Sequence, residues 1–146
     1  VKEVEMTKEK SERVMTGEQD DYASHSALIH RVRLEVGGKT ALFVSNRPDP
    51  KLEQVLEEAL GVDLDWCEHR PRRVQAAAER IRHRRYGLII VATGFVGHDV
   101  DQILSRAAGS VGVPYIRADR GRVLGTIRAI ARVTGLVRGE AGDHEA

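Results

Sequence analysis

Apolar positions fall along this chain in two alternating rhythms. Leu88, Ile89, Ile90, Val91 and Ala92 form an uninterrupted run, the pattern of a strand covered on both faces. Beyond them Val100, Ile103, Leu104, Ala107, Ala108 and Val111 recur at helical spacing, the stripe of an amphipathic helix. Ala41-Leu42-Phe43-Val44 repeats the first rhythm, and Leu52, Val55, Leu56, Ala59 and Leu60 repeat the second. Asp49 suits the N-cap of that helix, with Pro50 at N1, where a missing N–H is harmless. Gly61 ends it. Val62, Leu64 and Trp66 alternate with Asp63, Asp65 and Cys67, so this strand is expected at an edge with one wet face. Pro71 opens a further helix whose stripe is Val74, Ala77, Ala78 and Ile81. Gly112 stops the helix that follows the buried run. Val113–Ile116 reads as a short strand, placed at an edge by Pro114. A last helix over 121–133 is expected to bury Val123, Leu124, Ile127 and Ile130.

The two ends carry no such rhythm. Residues 1–21 are almost entirely polar and of mixed charge, which gives too little apolar surface to offset chain entropy. They are expected to form a charged, disordered arm. Residues 135–146 contain three glycines and no core pattern, and a disordered tail is expected there. Residues 22–37 read two ways. Leu28, Ile29, Val32 and Val36 fit one helical face, whereas Val32, Leu34 and Val36 alternate like a strand before a Gly37-Gly38 turn. The helix is preferred, closed by Gly37 in a left-handed conformation, because a central first strand leaves a hairpin partner no free edge.

Strand followed by helix, four times over, argues for an α/β fold with helices on both faces of a parallel sheet. Right-handed crossovers with two interior strands give the order 2-1-3-4, a single Rossmann-like, flavodoxin-like domain over residues 38–134. Such sheets bind ligands beyond the carboxyl ends of their strands, where the winding reverses. Here that crevice lies between the loop 45–48 and the loop 93–98.

Composition narrows the classes. The chain has 146 residues, 41% hydrophobic and 31% charged, which fits one globular domain. No apolar run approaches the roughly 20 residues that span a bilayer, so no membrane contact is expected. The first residues lack an apolar signal-peptide core, and Cys67 is the single cysteine. A cytoplasmic location is expected on both grounds.

The crevice holds the candidate chemistry. Ser45, Asn46 and Arg47 come from the first loop; Thr93, Gly94, Phe95, Gly97 and His98 come from the second. A helix starting near His98 would aim unpaired N–H groups and its positive end into that loop, which suits an anion. Arg47 can close from the other side as a forked donor. The leading expectation is therefore non-catalytic binding of a small polar or anionic ligand, in a regulatory or sensing role. The bland alternative leaves Gly94 and Gly97 to the turn alone and His98 to local packing. Nothing in the sequence identifies a cofactor.

Two other function classes are weighed beside it. Arg70, Arg72, Arg73, Arg80, Arg82, Arg84 and Arg85 crowd one helix and its flanks. Arg72, Arg73, Arg80 and Arg84 are the residues that would meet phosphates in a nucleic-acid or protein-interaction module, although such a face is usually solvated or ion-paired. An enzyme is third. His98 with Asp99 or Asp101 would supply an acid–base pair, but the GxSxG, Walker A and GxGxxG patterns are missing. No metal site is expected. Cys67 and His69 sit a whole strand away from His98 and Asp99, about 9–10 Å, too wide for one ion. A homodimer is expected, with the stripe of residues 28–36 covering a neighbouring subunit or an edge strand pairing across the two-fold axis.

Gly38-Lys39 before ALFV, the loop Ser45-Asn46-Arg47-Pro48, the run LIIVATGFVGHD and Gly112-Val113-Pro114-Tyr115 together resemble a family of small bacterial proteins, the domain of unknown function family 2325. The most specific piece is Thr93-Gly94-Phe95-Val96-Gly97-His98. It looks like that family's strand-end pattern: a small or hydroxyl residue, an aromatic or cysteine, an aliphatic, and a histidine at the helix start. The resemblance covers roughly two-thirds of the chain. It departs at the first loop, where the family often has glycines and this chain has Ser45 and Asn46. It implies a Rossmann-like fold and no established activity.

Overall fold

The computed structural model describes residues 25–120 and 122–136. In chain order these form α1 (Ser26–Val36), β1 (Thr40–Ser45), α2 (Pro50–Leu60), β2 (Asp63–Glu68), α3 (Pro71–Arg82), β3 (Leu88–Val91), α4 (His98–Val111), β4 (Tyr115–Arg117) and α5 (Val123–Val133). The four strands make one parallel sheet in the order β2-β1-β3-β4. The two inner strands are the two apolar runs, and Ala41 to Val44 and Leu88 to Val91 are all buried. The charged arm, residues 1–21, lies outside the described residues, as does most of the tail.

Alternation along each inner strand feeds two cores. Ala41, Phe43, Leu88 and Ile90 face α1, α2 and α5. Leu42, Val44, Ile89 and Val91 face α3 and α4. The helices divide in this way because the β1-to-β2 crossover runs one way along the sheet and the β2-to-β3 and β3-to-β4 crossovers run the other, each right-handed. The winding therefore reverses between β1 and β3.

Several boundaries follow local chemistry. The Asp49 carboxylate accepts the Leu52 N–H at 3.1 Å and caps α2, as expected of an N-cap aspartate. Arg33 of α1 donates to the carbonyls of Glu58 and Ala59 at the other end of α2, where an arginine both bonds the orphan acceptors and opposes the dipole.

Other expectations need correction. The helical reading of residues 22–37 holds over Ser26–Val36, with residues 22–24 outside the described residues, but Gly37 is not left-handed. Its φ is −55°, and Gly38 carries the positive φ of 84°. Gly37 is needed for a close approach instead: a Cβ there would lie 2.6 Å from the Arg33 carbonyl oxygen. The stripe on α1 does not await a neighbouring subunit. Ile29, Val32 and Val36 are buried in the chain's own core, with Leu28 packed against it, because α2 and α5 leave a groove on that face which α1 fills.

The second strand runs Asp63–Glu68, one residue later than the pattern gives, at the edge as expected, and its second face is wet only in part: Asp63 is exposed and Asp65 half-exposed, but the face closes at Cys67. Cys67 is 3% exposed on the α3 side. Pro114 stands just before β4; its carbonyl accepts the Ile89 N–H at 3.0 Å, so the proline completes the ladder without donating to it. In α5, Val123 is only partly buried, while Ala129 and Ala131 join the core and the polar Thr126 is buried beside them. Gly135 and Leu136, read as the start of a disordered tail, instead close α5. The Leu136 N–H reaches the Ala131 carbonyl at 2.8 Å, and the Leu136 side chain packs on the core.

Candidate functional site

At the reversal point two loops leave the carboxyl ends of neighbouring strands. Val44 and Val91 are register partners, and the Ala92 N–H donates to the Val44 carbonyl at 2.9 Å. Ser45 is buried at the end of β1, its hydroxyl 3.4 Å from the Asn46 side-chain oxygen. Asn46 and Arg47 are exposed. The Arg47 backbone is held, since its carbonyl accepts from the Trp66 indole N–H at 3.2 Å. Its guanidinium has no partner among the described residues.

The second loop is fastened on its far side. The N–H groups of Thr93 and Gly94 donate to the carbonyls of Ala118 and Asp119, at 3.2 and 2.6 Å. A Cβ on Gly94 would stand 2.5 Å from that Asp119 oxygen, so this glycine is required by close approach. Gly97 is different. It has an ordinary φ of −73° and open space around a would-be Cβ, and it is the N-cap of α4 without a side-chain cap. Phe95 is exposed at 41%. His98 is exposed at the start of α4 and has no partner among the described residues. The structure thus brings Ser45, Asn46, Arg47, Thr93, Gly94, Phe95, Gly97 and His98 to one edge of the sheet.

The acid–base pair imagined for His98 does not form with Asp101. That carboxylate accepts from the Tyr115 hydroxyl at 2.7 Å and from Arg117 Nε at 3.1 Å, a network that ties α4 to β4. Burial first, and then the hydrogen bond to Asp101, pushes the Tyr115 phenol well up from its ordinary value.

The arginine helix is also less free than its composition implies. Arg80 Nε donates to the Tyr86 hydroxyl at 2.6 Å, Tyr86 donates to Asp65, and the Arg80 guanidinium lies 3.7 Å from Asp65. Arg84, at an uncommon φ of 60°, donates to the Val111 carbonyl at 3.1 Å. Of the four residues marked for nucleic acid, Arg72 and Arg73 remain exposed, whereas Arg80 and Arg84 bind their own chain. Cys67 lies beneath this helix, and burial raises its thiol pKa, which keeps it an unreactive thiol.

Burial, and then its bond to Asp65, raise the Tyr86 phenol from near 10 to about 12. The folded state thus holds the phenol proton more tightly than the unfolded chain. The stability this confers is complete below pH ~10 and is lost as pH rises towards ~12. Tyr86→Phe is expected to flatten part of that alkaline decline, with Tyr115 and the Cys67 thiol, both also raised by burial, contributing to what remains. Urea unfolding midpoints across this range check it, and an unchanged slope would remove Tyr86 as a source.

A second cluster on this edge has no counterpart in the sequence reading. A cavity of about 590 Å³ lies between β4 and α5, and Arg117, Arg120, Arg122, Arg128 and Arg132 line it. These residues follow no motif spacing. Only the turn from β4 into α5 gathers them.

No helix among the described residues is long and apolar enough to cross a membrane. No family model matches the chain, and no curated protein or solved structure matches it, so the resemblance to the domain of unknown function family 2325 rests on the quoted residues alone, and what stands is a single α/β domain with a four-stranded parallel sheet in the order 2-1-3-4.

Proposed function

We propose that this protein binds a small polar or anionic ligand, without turnover, in the crevice at the carboxyl edge of its sheet. One observation carries the reading. Arg47 is exposed on the loop that leaves β1, His98 is exposed at the first position of α4, both lack partners among the described residues, and α4 opens on an N-terminus with no side-chain cap. Free helix N–H groups and a forked cation suit an anion. The commitment of Asp101 to Tyr115 and Arg117 favours binding over acid–base chemistry. Holding a ligand without changing it fits a regulatory or sensing role.

A thermal-shift screen over nucleotides, phosphates and metal ions tests the reading. A ligand at 100 times its dissociation constant is expected to stabilise the fold by about 2.7 kcal/mol. Arg47→Ala and His98→Ala should abolish that gain and leave the free protein folded, since both side chains are exposed. Trp66, the single tryptophan, is bonded to the Arg47 carbonyl, so its fluorescence gives a second readout. If both variants respond like the parent, the crevice is not the site.

A further inference from the structure

We propose that the groove between β4 and α5 is a separate binding site, for a small organic molecule carrying two or more phosphoryl groups. Five arginines line it. Arg117 is committed to Asp101 and Arg128 contacts the His25 imidazole at 3.0 Å. Arg120, Arg122 and Arg132 have no acceptor among the described residues. Three uncommitted guanidinium groups around one cavity repel each other, and an anion with several oxygens relieves that repulsion. No side chain caps α5, and its first turn carries no acidic residue, so the helix dipole adds to the positive field.

Thr126 is the independent sign of a ligand. It lines the same cavity, its residue is 0% exposed, and its hydroxyl has no hydrogen-bond partner among the described residues. A threonine inside a helix ordinarily bonds back to the carbonyl four residues earlier. An unpaired buried hydroxyl is unfavourable, so a partner from outside the chain is called for.

The size and spread of the groove set the ligand class. A volume near 590 Å³ suits a small molecule. Arg122 and Arg132 stand ten positions apart along α5, about 15 Å of helix rise. Two separated phosphoryl groups match that backbone spread better than a single phosphate, which both side chains could reach only by leaning towards each other. Asp119, the carboxylate in the lining, accepts only, so it calls for a hydroxyl or N–H on the body of the ligand.

Calorimetry on the full chain with inorganic tripolyphosphate and with orthophosphate tests this. Tripolyphosphate is expected to bind at least about tenfold more tightly, and Arg122→Ala with Arg132→Ala to lose about tenfold or more. Thr126→Val keeps shape and removes the unpaired oxygen. It should leave the fold at least as stable yet weaken binding several-fold, a split that a structural role for the hydroxyl would not give. Arg47→Ala should leave tripolyphosphate affinity unchanged. Equal affinity for the two anions, or indifference to the α5 variants, would overturn the proposal. So would loss on Arg47→Ala alone, which would move the polyanion to the crevice and spare the reading given there. Tighter binding of a single-stranded oligonucleotide, lost in the same α5 variants, would also overturn it and mark a polymer site.

Discussion

Phe43→Ala is expected to cost about 3–5 kcal/mol, the range for emptying a buried aromatic site, and to leave the domain largely unfolded near physiological temperature. Phe43 sits mid-strand in β1 with no exposure. Its ring stacks on Trp66 across the β1–β2 pair, with centroids 4.3 Å apart and planes 14° from parallel. On the same face it belongs to the core that joins α1, α2 and α5, so no single neighbour can move to fill the space. A domain of this size holds only about 5–15 kcal/mol in all. Chemical unfolding followed by Trp66 fluorescence reports both the stability and the lost stack. A loss under about 1 kcal/mol would mean that the site collapses freely, against the close packing expected of such a core.

Gly94→Ala is expected to cost about 1–3 kcal/mol, as overpacking does, and to weaken any ligand binding at the two proposed sites. Its new Cβ would meet the Asp119 backbone oxygen at 2.5 Å. Backbone cannot rotate aside as a side chain can. The loop after β3 must therefore part from the loop after β4 and surrender the Gly94–Asp119 bond. That bond holds Phe95 and the start of α4 on one side and the Asp119 end of the arginine groove on the other. Amide exchange at residues 93–95 should accelerate, with chemical shifts moving at 117–120. Gly97→Ala is the control. Open space around Gly97 and its ordinary φ predict a stable fold, so any lost ligand affinity there would point to close approach by the ligand.

The alternation of periods by itself determined the order of strands and helices, and with it the sheet order. Leu88 to Val91 cannot be half-wet, and the stripe from Val100 to Val111 cannot lie flat as a strand, because side-chain direction follows backbone period within a few residues. The cap at Asp49 and the placing of the loops 45–48 and 93–98 after β1 and β3 follow from equally local rules. What covers each face is a different question. The pattern marks Ile29, Val32 and Val36 as apolar without saying that α2 and α5 of the same chain receive them. It marks Cys67 as the wet side of an edge strand because the crossing of α3 over β2 leaves no local trace. Charge is read still less well. Arg80 and Arg84 look free until Tyr86, Asp65 and the Val111 carbonyl arrive from other elements. Arg120, Arg122 and Arg132 look unremarkable until the turn from β4 into α5 sets them around one cavity. Periodicity is a property of neighbours in sequence, whereas a site is a meeting of residues from separate elements, and only the packing of those elements decides which residues meet.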